Sequence, residues 1–390
     1  MWNRLKTTLI DFIQQADLVL LALCSIATLY GLVLVFSATR YMNTGTKRMI
    51  IQSASLVMGI GVYIFFSMLD LEQIMRKWKW VLAFNIIFIL LLKTPLGFGA
   101  KETGNNAWIR FPFLPFNISP AEVVKISFTL LLARQMEWLR EEKNDMKSFR
   151  SAFFVAGHTL GLCGLYIFVS KDMGNALVFV FIFLCMAFVA GFALRWFLLL
   201  FAGGAAGMFV AWELDLIPNY MRERFIVLFD HSYQPLGIGW QQTRSMLAIG
   251  SGGLFGKGYL NGTLTQGTAA ESLPERQTDL IFAVAGEEMG LVGCGLIMLL
   301  LFLIILRVLI VARQARTPFH RYVCIGMAAI LIFQTVINIG MCLFVMPTIG
   351  VTLPFFSYGG SSVMTLYMAM GVVSGIKKRS VDMRLTGGRR

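Results

Sequence analysis

The sequence predicts an all-α polytopic integral membrane protein with about ten transmembrane helices, and two observations lead to this fold class. Of the 390 residues, 57% are hydrophobic and only 14% are charged, with a mean hydropathy of +0.71. The apolar residues are also grouped in runs of about 20, the length that crosses a bilayer as a helix. Strand-length alternation does not repeat along the chain, so the spans are expected to be helices whose backbone groups bond internally.

The apolar runs define the predicted elements in order. The first run follows "MWNRLKTTLIDFIQQADL", an amphipathic start without the features of a cleavable signal peptide, so the first helix is expected to remain as an anchor. Together the runs predict a single transmembrane domain over residues 1–390. They lie at 17–37, 49–68, 80–99, 119–137, 152–170, 173–192, 195–214, 279–310, 322–346 and 358–376.

The charge distribution predicts how the chain is oriented. The net charge is +13, and the basic residues cluster in loops beside the apolar runs. The positive-inside rule accounts for them without nucleic acid and places both termini, including the basic tail 377–390, in the cytoplasm. A large loop, 215–277, between the seventh and eighth helices is then extracytoplasmic. Its mixed apolar composition suggests pieces that lie in the membrane interface.

Cysteine and histidine usage argues against two common kinds of site. The six cysteines all lie inside apolar runs without a C-x-x-C pair, and the three histidines are scattered. Neither a disulfide framework nor a zinc site is indicated. No resident cofactor is evident from the sequence.

The stretch "PERQTDLIFAVAGEEMG" carries four acidic residues beside the eighth apolar run. Ser272 and Glu275 have the spacing of a capping box, and Pro274 would fall in the first turn, so a helix is predicted to begin near residue 273. Asp279 would then lie about two turns inside that helix. It would sit at the outer rim, about 15 Å before the denser apolar run 289–309.

Glu287 and Glu288 lie deeper in the same apolar run. A charge at mid-membrane costs roughly 2.5 to 3.5 kcal/mol on insertion scales, so each is expected to face a polar cavity or a partner. The structural alternative is that they cap other helix ends or pair with an intramembrane cation.

A second cluster of polar residues lies just before and at the start of the fourth apolar run. In "NISPAEVVKI", Glu122 and Lys125 are three residues apart and share a helix face, so they either neutralise each other or present the Lys125 ammonium to a phosphate. Just before them, Trp108 and Arg110 lie in a proline-broken aromatic loop. An interfacial anchor and a platform for stacking a sugar are both open readings of Trp108.

The turn "MPTIGVTLPFFSYGGSS" enters the last run. Gly359 and Gly360 permit close backbone approach, and exposed N–H groups beside Ser357 and Ser361 would suit an anionic ligand. Tight helix packing explains the same residues equally well.

Several motifs together resemble one known family. In order they are "NNAWIRF", "SPAEVVK", "KDMGNAL", "RERFIVLFD", "SMLAIGSGGLFGKGYLNGT", "PERQTDLIFAVAGEE", "INIGM" and "LPFFSYGGSS". From about residue 16 to 377 the chain resembles the SEDS family, the shape, elongation, division and sporulation proteins typified by RodA and FtsW. The resemblance implies a ten-span peptidoglycan glycosyltransferase of the bacterial cytoplasmic membrane. It would polymerise lipid II on the outer face, usually with a class B penicillin-binding protein that crosslinks the strands.

The resemblance also implies site residues. Thr278 to Phe282 match the family motif T-D-F-I-F, which makes Asp279 the catalytic candidate. The substrate-binding candidates lie in the matched motifs and comprise Trp108, Arg110, Glu122, Lys125, Arg222, Arg224, Lys257, Thr278, Glu287, Glu288, Ser357, Gly359, Gly360 and Ser361.

Five positions depart from the family pattern: Ser119, Lys171, Gln277, Leu280 and Phe344. None removes a carboxylate, but Lys171 beside Asp172 alters the charge of the outer cavity.

The residues and the resemblance agree on a hypothesis for the chemistry. Asp279 would take the proton from the attacking GlcNAc 4-hydroxyl, while Lys125, Arg222, Arg224 or a bound divalent cation would offset charge on the leaving pyrophosphate. The chief rival is a flippase or transporter for the lipid-linked precursor, for which no convincing internal repeat is found. A membrane scaffold that does not require Asp279 is a third reading.

Overall fold

The computed structural model describes residues 16–99, 105–111, 116–141, 143, 146–230, 233, 237, 239–267 and 272–386. This part of the chain is mostly helical and its sheet consists of two strands of two residues each, so the predicted all-α fold is confirmed. The helices are α1 Leu18–Thr39, α2 Gly45–Met68, α3 Leu71–Arg76, α4 Trp78–Leu90, α5 Pro120–Glu141, α6 Phe149–Ser170, α7 Met173–Ala190, α8 Leu194–Glu213, α9 Asn219–Phe229, α10 Trp240–Gly252, α11 Ile281–Gln314, α12 Pro318–Cys342 and α13 Gly360–Thr386.

All ten predicted apolar runs are helical over most of their length. Among the described residues, seven helices are long and apolar enough to cross a membrane, namely α1, α2, α6, α7, α8, α11 and α12. The other three predicted spans correspond to α4, α5 and α13. Of these, α4 has only 13 residues and continues into a 3-10 turn at Leu91–Lys93, while α5 carries the charged pair Glu122 and Lys125.

A small hairpin covers one end of the bundle. Strand β1, Gly97–Phe98, pairs antiparallel with β2, Trp108–Ile109, and Ile109 also bridges to Ile118 just before α5. The Asn106 amide donates to the carbonyl of Ser170, the last residue of α6, over 3.0 Å. The hairpin therefore holds the Trp108 region against the ends of α5 and α6.

The segment between α8 and α11 is partly folded into the bundle. It contains α9 and α10, and α10 packs along α11 and α12. The Gln242 amide of α10 donates to the carbonyls of Met341 and Met346 over 3.1 and 2.7 Å, and Ser245 donates to Cys342 over 2.8 Å. By contrast, α8 buries none of its 20 residues.

Helix α11 is broken at Gly290, whose φ of 66° and ψ of −159° are not helical. Only glycine adopts this region readily. The break is repaired by the segment 253–258, which follows α10. The amides of Lys257 and Gly258 donate to the carbonyls of Glu287 and Glu288 over 2.9 and 3.1 Å.

On the other side of the break, the amides of Leu291 and Val292 donate to Gly253 and Leu254 over 2.9 and 3.2 Å. Non-helical backbone at membrane depth is tolerated when other protein groups satisfy it, and here the segment 253–258 supplies both donors and acceptors. The kink separates the buried residues 281–288 from the longer apolar part of α11.

A buried ion cluster joins four helices at the N-terminal end of α1. Asp17 is fully buried, and its carboxylate accepts from Arg307 Nε and Nη2 over 2.8 and 3.0 Å and faces Lys377 Nζ at 3.2 Å. Its backbone N–H donates to Ser374, and its carbonyl accepts from Tyr63. We call this group the Asp17 clasp.

Candidate active site

Asp279 lies in a turn and not inside a helix. Residues 274–280, which we call the Asp279 turn, are non-helical, and α11 begins only at Ile281. The prediction of a helix starting near residue 273 is therefore wrong. Glu275 has a positive φ of 41°, and its carboxylate accepts from Thr278 and Gln277 over 3.1 and 3.2 Å instead of capping a helix.

Donors from distant parts of the chain explain why the helix does not extend backwards. The carbonyl of Gln277 accepts from the Tyr358 amide over 2.8 Å, and that of Thr278 accepts from Ser357 Oγ over 2.5 Å. The carbonyl of Asp279 accepts from Asn338 Nδ2 over 2.8 Å. Three successive carbonyls are thus fixed from outside, which places the Asp279 side chain on a rigid turn.

The carboxyl group of Asp279 is half-buried and lies among charges of both signs. Burial, together with the negative charges of Glu275 and Asp172, raises the pKa of Asp279 to about 7, while Arg224 opposes that shift. A carboxylate with such a pKa can accept a proton near neutral pH.

The segment 346–351 brings α7, α9 and the Asp279 turn together. A Cβ on Gly350 would lie 3.8 Å from Asp279 Oδ2, and a Cβ on Gly174 would strike the carbonyl of Ile349. The carbonyl of Thr348 accepts from Arg224 Nη1 over 2.5 Å. The start of α7, the Arg224 guanidinium and the Asp279 carboxylate are therefore grouped around one stretch of backbone.

Asp172 is the second carboxylate of this region. It caps the start of α7 by accepting from the Asn175 amide over 3.1 Å, and it also accepts from Asn175 Nδ2 over 2.7 Å and from the Tyr166 hydroxyl over 3.3 Å. Glu122 lies within electrostatic range of Tyr166. Tyr166 thus connects the Asp172 region with the polar start of α5.

Glu122 and Lys125 form an ion pair of 2.6 Å at the start of α5. Lys125 is almost completely buried, with 1% of its side chain exposed, and Glu122 is 12% exposed. The pair therefore has the geometry expected if Glu122 and Lys125 neutralise each other.

Trp108 and Arg110 lie in and beside the hairpin that precedes α5. Trp108 is half-buried, and the exposed Arg110 places its guanidinium 4.1 Å from the centroid of the Phe98 ring. Both residues are on the same end of the bundle as Ser170 and Asp172.

Two cationic candidates lie apart from these residues. Arg222 pairs with Asp215 and donates to the carbonyl of Trp212 at the end of α8. Lys257 pairs with Glu287 at 3.0 Å. Of the cations proposed from sequence, Arg224 is the one whose charge acts on Asp279.

Glu287 and Glu288 are buried and fully engaged by hydrogen bonds. Glu287 holds the loop at 263–265, and Glu288 accepts from Ser37 and Gln266. Glu287 pairs with Lys257, as the structural alternative of a cation partner predicts, and accepts from loop amides, while Glu288 accepts from side chains and caps no helix end among the described residues.

The glycine-bearing turn before α13 packs tightly. The Gly359 amide donates to Gln52 Oε1 over 3.1 Å, and a Cβ on Gly360 would lie 3.0 Å from Ser55 Oγ of α2. Ser357 donates to the Asp279 turn, whereas the buried hydroxyl of Ser361 has no hydrogen-bond partner among the described residues. The turn mainly supports its neighbours.

Within the described ranges, no group of three or more His, Cys, Asp or Glu side chains is arranged to hold a metal ion. The sequence-based expectation of a divalent cation therefore has no preformed protein cage in this part of the chain.

Sequence reasoning did not assign roles to several residues that shape the site. Asn338, Tyr166 and Arg276 are examples. Asn338 and Arg276 gain their roles from contacts with distant parts of the chain, and Tyr166 from its contact with Asp172 six residues further along. The available signal was a polar side chain inside an apolar run, most clearly Asn338 in "INIGM".

Comparisons with known proteins place the chain among cell-wall proteins. Residues 17–381 match the FTSW_RODA_SPOVE model, described as a cell cycle protein. The chain is 30% identical over 372 residues to the probable peptidoglycan glycosyltransferase FtsW of Geobacter sulfurreducens, covering 94% of this chain and 96% of that one. It is 35% identical over 297 residues to the peptidoglycan glycosyltransferase MrdB of Escherichia coli, covering 76% and 77%.

A solved structure has a similar fold. A chain from a peptidoglycan synthase complex, studied for the coordination of polymerization and crosslinking, superposes with a TM-score of 0.74 at 26% identity. The match covers 94% of this chain and 98% of that chain.

Proposed function

This chain belongs to the FTSW_RODA_SPOVE family, and we infer from this membership and from its site that it is a peptidoglycan glycosyltransferase. The observation that carries the inference is the match over residues 17–381, which includes the whole Asp279 turn. The geometry of the turn supports it, because a carboxylate of raised pKa is held on a rigid backbone in a polar region of a membrane protein.

We propose that the reaction joins two lipid II-derived glycans. The GlcNAc 4-hydroxyl of one lipid II attacks the anomeric carbon of MurNAc on the growing strand. A new glycosidic bond forms, the bond to undecaprenyl pyrophosphate breaks, and Asp279 takes the hydroxyl proton. The base must come within about 2.6 to 3.2 Å of that oxygen in the productive complex.

The charge on the leaving pyrophosphate needs a cation, and Arg224 is best placed to provide it. It lies within electrostatic range of Asp279 and is held by the Thr348 carbonyl. Lys125 is already paired with Glu122. A divalent cation brought in with the pyrophosphate would supply the same compensation, and a titration with Mg²⁺ and a chelator measures its contribution.

The membrane orientation is also part of the proposal. The positive-inside rule favours cytoplasmic termini, which puts the Asp279 turn on the outer face. The polar head groups of lipid II would react there while the isoprenoid chains lie against the apolar helices. A class B penicillin-binding protein is proposed as the crosslinking partner, by analogy with the synthase complex of similar fold.

The test is glycan-strand synthesis from purified lipid II, with the protein alone and with its cognate transpeptidase. Asp279→Asn is expected to reduce polymerisation by about 10²- to 10⁴-fold, the usual contribution of a general base. Glu72→Gln is the matched control, because Glu72 is 56% exposed and lies in the first turn of the short helix α3.

Polymer from the wild type and from Glu72→Gln, but not from folded Asp279→Asn, would support both the polymerase and its base. Equal polymer from all three would remove Asp279 from the chemistry. If even the complex made no polymer, transport of lipid II across vesicles would become the next activity to measure.

A further inference from the structure

Arg276 is a buried part of the Asp279 turn, with only 5% of the residue exposed. Its Nε donates to the carbonyl of Ala38, near the end of α1, over 2.8 Å. Its Nη1 donates to the carbonyl of Thr265 and, over 3.0 Å, to that of Gly267. One side chain therefore ties the Asp279 turn to α1 and to residues 257–267, which we call the 257–267 loop.

The 257–267 loop is in turn held by Glu287. The Glu287 carboxylate accepts from the amides of Leu264 and Thr265 over 2.9 and 2.7 Å. It also accepts from Thr265 Oγ1 over 2.8 Å and from Thr263 and Lys257 over 3.0 Å each. Five donors on one carboxylate give the loop a single well-defined position on α11.

Glu288 attaches the other end of the loop to α1. It accepts from Ser37 Oγ over 2.6 and 2.7 Å and from Gln266 Nε2 over 2.7 Å. Gln266 Nε2 also contacts Ser37 Oγ at 2.7 Å. The Ser37 contacts and the Arg276–Ala38 contact lie one residue apart on α1.

The charges in this region balance. Lys257 is paired with Glu287, and Arg276 interacts electrostatically with Glu288. Two cations and two carboxylates with satisfied hydrogen bonds can remain buried, whereas removal of one member leaves an unpaired charge. The sequence of contacts runs from α11 through the loop to Arg276 and from there to Asp279, three residues further along.

We propose that Arg276 is a positioning residue that sets the place of the Asp279 carboxylate through the backbone of the turn. The proposal rests on the proposed polymerase function and deepens it. The charged groups that act on Asp279 are Glu275, Asp172 and Arg224. The Arg276 guanidinium directs its hydrogen bonds to α1 and to the 257–267 loop, so we expect it to act on Asp279 through geometry, using the two directions of hydrogen bonding that a guanidinium fork provides.

The kinetic test uses Arg276→Gln and Arg276→Lys in the full-length protein with its transpeptidase. A displacement of about 1 Å costs on the order of 10²-fold in rate, so Arg276→Gln is expected to lower kcat by about that factor. KM for lipid II and the midpoint of the pH–rate profile should stay at their wild-type values. Arg276→Lys keeps the charge but loses the fork, so it should remain impaired.

A second pair of variants displaces the loop without changing Arg276. A Cβ on Gly262 would lie 2.8 Å from Glu287 Oε2 and 2.9 Å from Glu288 Cγ, whereas a Cβ on Gly250 would meet no atom of the described residues within 4 Å. Gly262→Ala should therefore lower kcat by about tenfold with the same unchanged pH midpoint, and Gly250→Ala should behave as wild type. Gly262→Ala and Gly250→Ala test the positioning role of the turn if both Arg276 variants fail to fold.

Amide hydrogen exchange provides a readout that does not depend on activity. Arg276→Gln and Gly262→Ala should speed exchange in residues 272–280 while leaving α13 unchanged. If the wild type makes no polymer, the polymerase function fails, and exchange still decides whether Arg276 positions the turn. Full activity of Arg276→Lys, a shifted pH midpoint, or unchanged exchange in the turn would each overturn the proposal.

Discussion

At the scale of single residues, the environment of Asp279 predicts how activity depends on pH. Its raised pKa of about 7 means that the carboxyl is protonated, and unable to accept a proton, below that pH. Polymerisation by the wild type is therefore expected to rise with pH through a midpoint near 7. Initial rates at lipid II concentrations well below KM between pH 5 and 9 report the pKa of the free protein and measure this, and a rate already at its plateau at pH 5 would contradict it.

Two neighbours of Asp279 should move that midpoint in opposite directions. Asp172→Asn removes a negative charge and should shift the midpoint to lower pH, while asparagine can still cap α7. Arg224→Gln removes the opposing positive charge and should shift the midpoint to higher pH. The pH–rate profiles of the two variants provide the measurement, and shifts of the same sign would refute this electrostatic account.

The residue that carries the proposed chemistry could be predicted from sequence, but its supporting residues could not. Asp279 is conspicuous because a carboxylate beside an apolar run is costly unless it has a use. Asn338 and Tyr358 support it from 59 and 79 positions away. Nothing in local spacing relates such distant positions, since the contacts arise only when α12 and the turn before α13 pack beside α11.

At the scale of elements, the kink of α11 predicts a sharp difference between two glycines of the same helix. A Cβ on Gly290 would strike the backbone around Gly256, and its backbone conformation costs about 1–3 kcal/mol for other residues. A Cβ on Gly295 would meet nothing within 4 Å in the part of the chain that the structure describes. Gly290→Ala should thus destabilise the protein by more than that cost, whereas Gly295→Ala should be neutral or stabilising.

Thermal unfolding of both variants in detergent gives the comparison. Equal transition temperatures for Gly290→Ala and the wild type would mean that α11 can straighten without loss.

The incorrectly predicted start of α11 shows why a helix boundary cannot always be predicted from local sequence. The S-x-x-E spacing of Ser272 and Glu275 is a valid local signal for a helix start. The helix does not start there because donors from distant residues occupy the carbonyls of residues 277–279. Long-range hydrogen bonds of this kind override a local preference that is worth only about 1 kcal/mol.

At the scale of the whole molecule, the Asp17 clasp predicts a large stability effect far from the proposed site. Asp17→Asn leaves Arg307 and Lys377 without their shared carboxylate. Removing one partner of a fully buried ion pair costs about 3–5 kcal/mol, which is the upper limit here because Arg307 and Lys377 are 24% and 23% exposed. Asp70→Asn is the control, because Asp70 is 40% exposed in its pair with Arg379 and such pairs contribute about 0–1 kcal/mol.

Denaturant unfolding of the two variants tests this difference. Similar losses from both would show that the buried position of Asp17 adds nothing.

The same clasp bears on the transport alternative. A carrier that alternates its access must open both ends of the bundle. Here the clasp fastens α1, α2, α11 and α13 together at the end opposite the Asp279 turn. A protein that works from one side only has no need to release it, which favours the polymerase.

Fold class follows from composition at this scale because lipid restricts the choices so strongly. Ten apolar runs predicted ten helices, and each run is helical over most of its length. The fold of the 215–277 segment could not be predicted in the same way. The insertion of its residues 253–258 into the break of α11 depends on backbone hydrogen bonds. Such bonds place few requirements on the side chains, so the sequence does not reveal them.

The broken α11 also has a consequence for the order of events during synthesis. The segment 253–258 leaves the ribosome before Gly290. The donors and acceptors that pair with the break are therefore already present when residues 287–292 emerge. The nascent chain can pair these groups at once, whereas a helix that first inserted straight would have to unwind within the membrane. The order of the polypeptide thus allows the kink to be templated during biogenesis by the segment that precedes it.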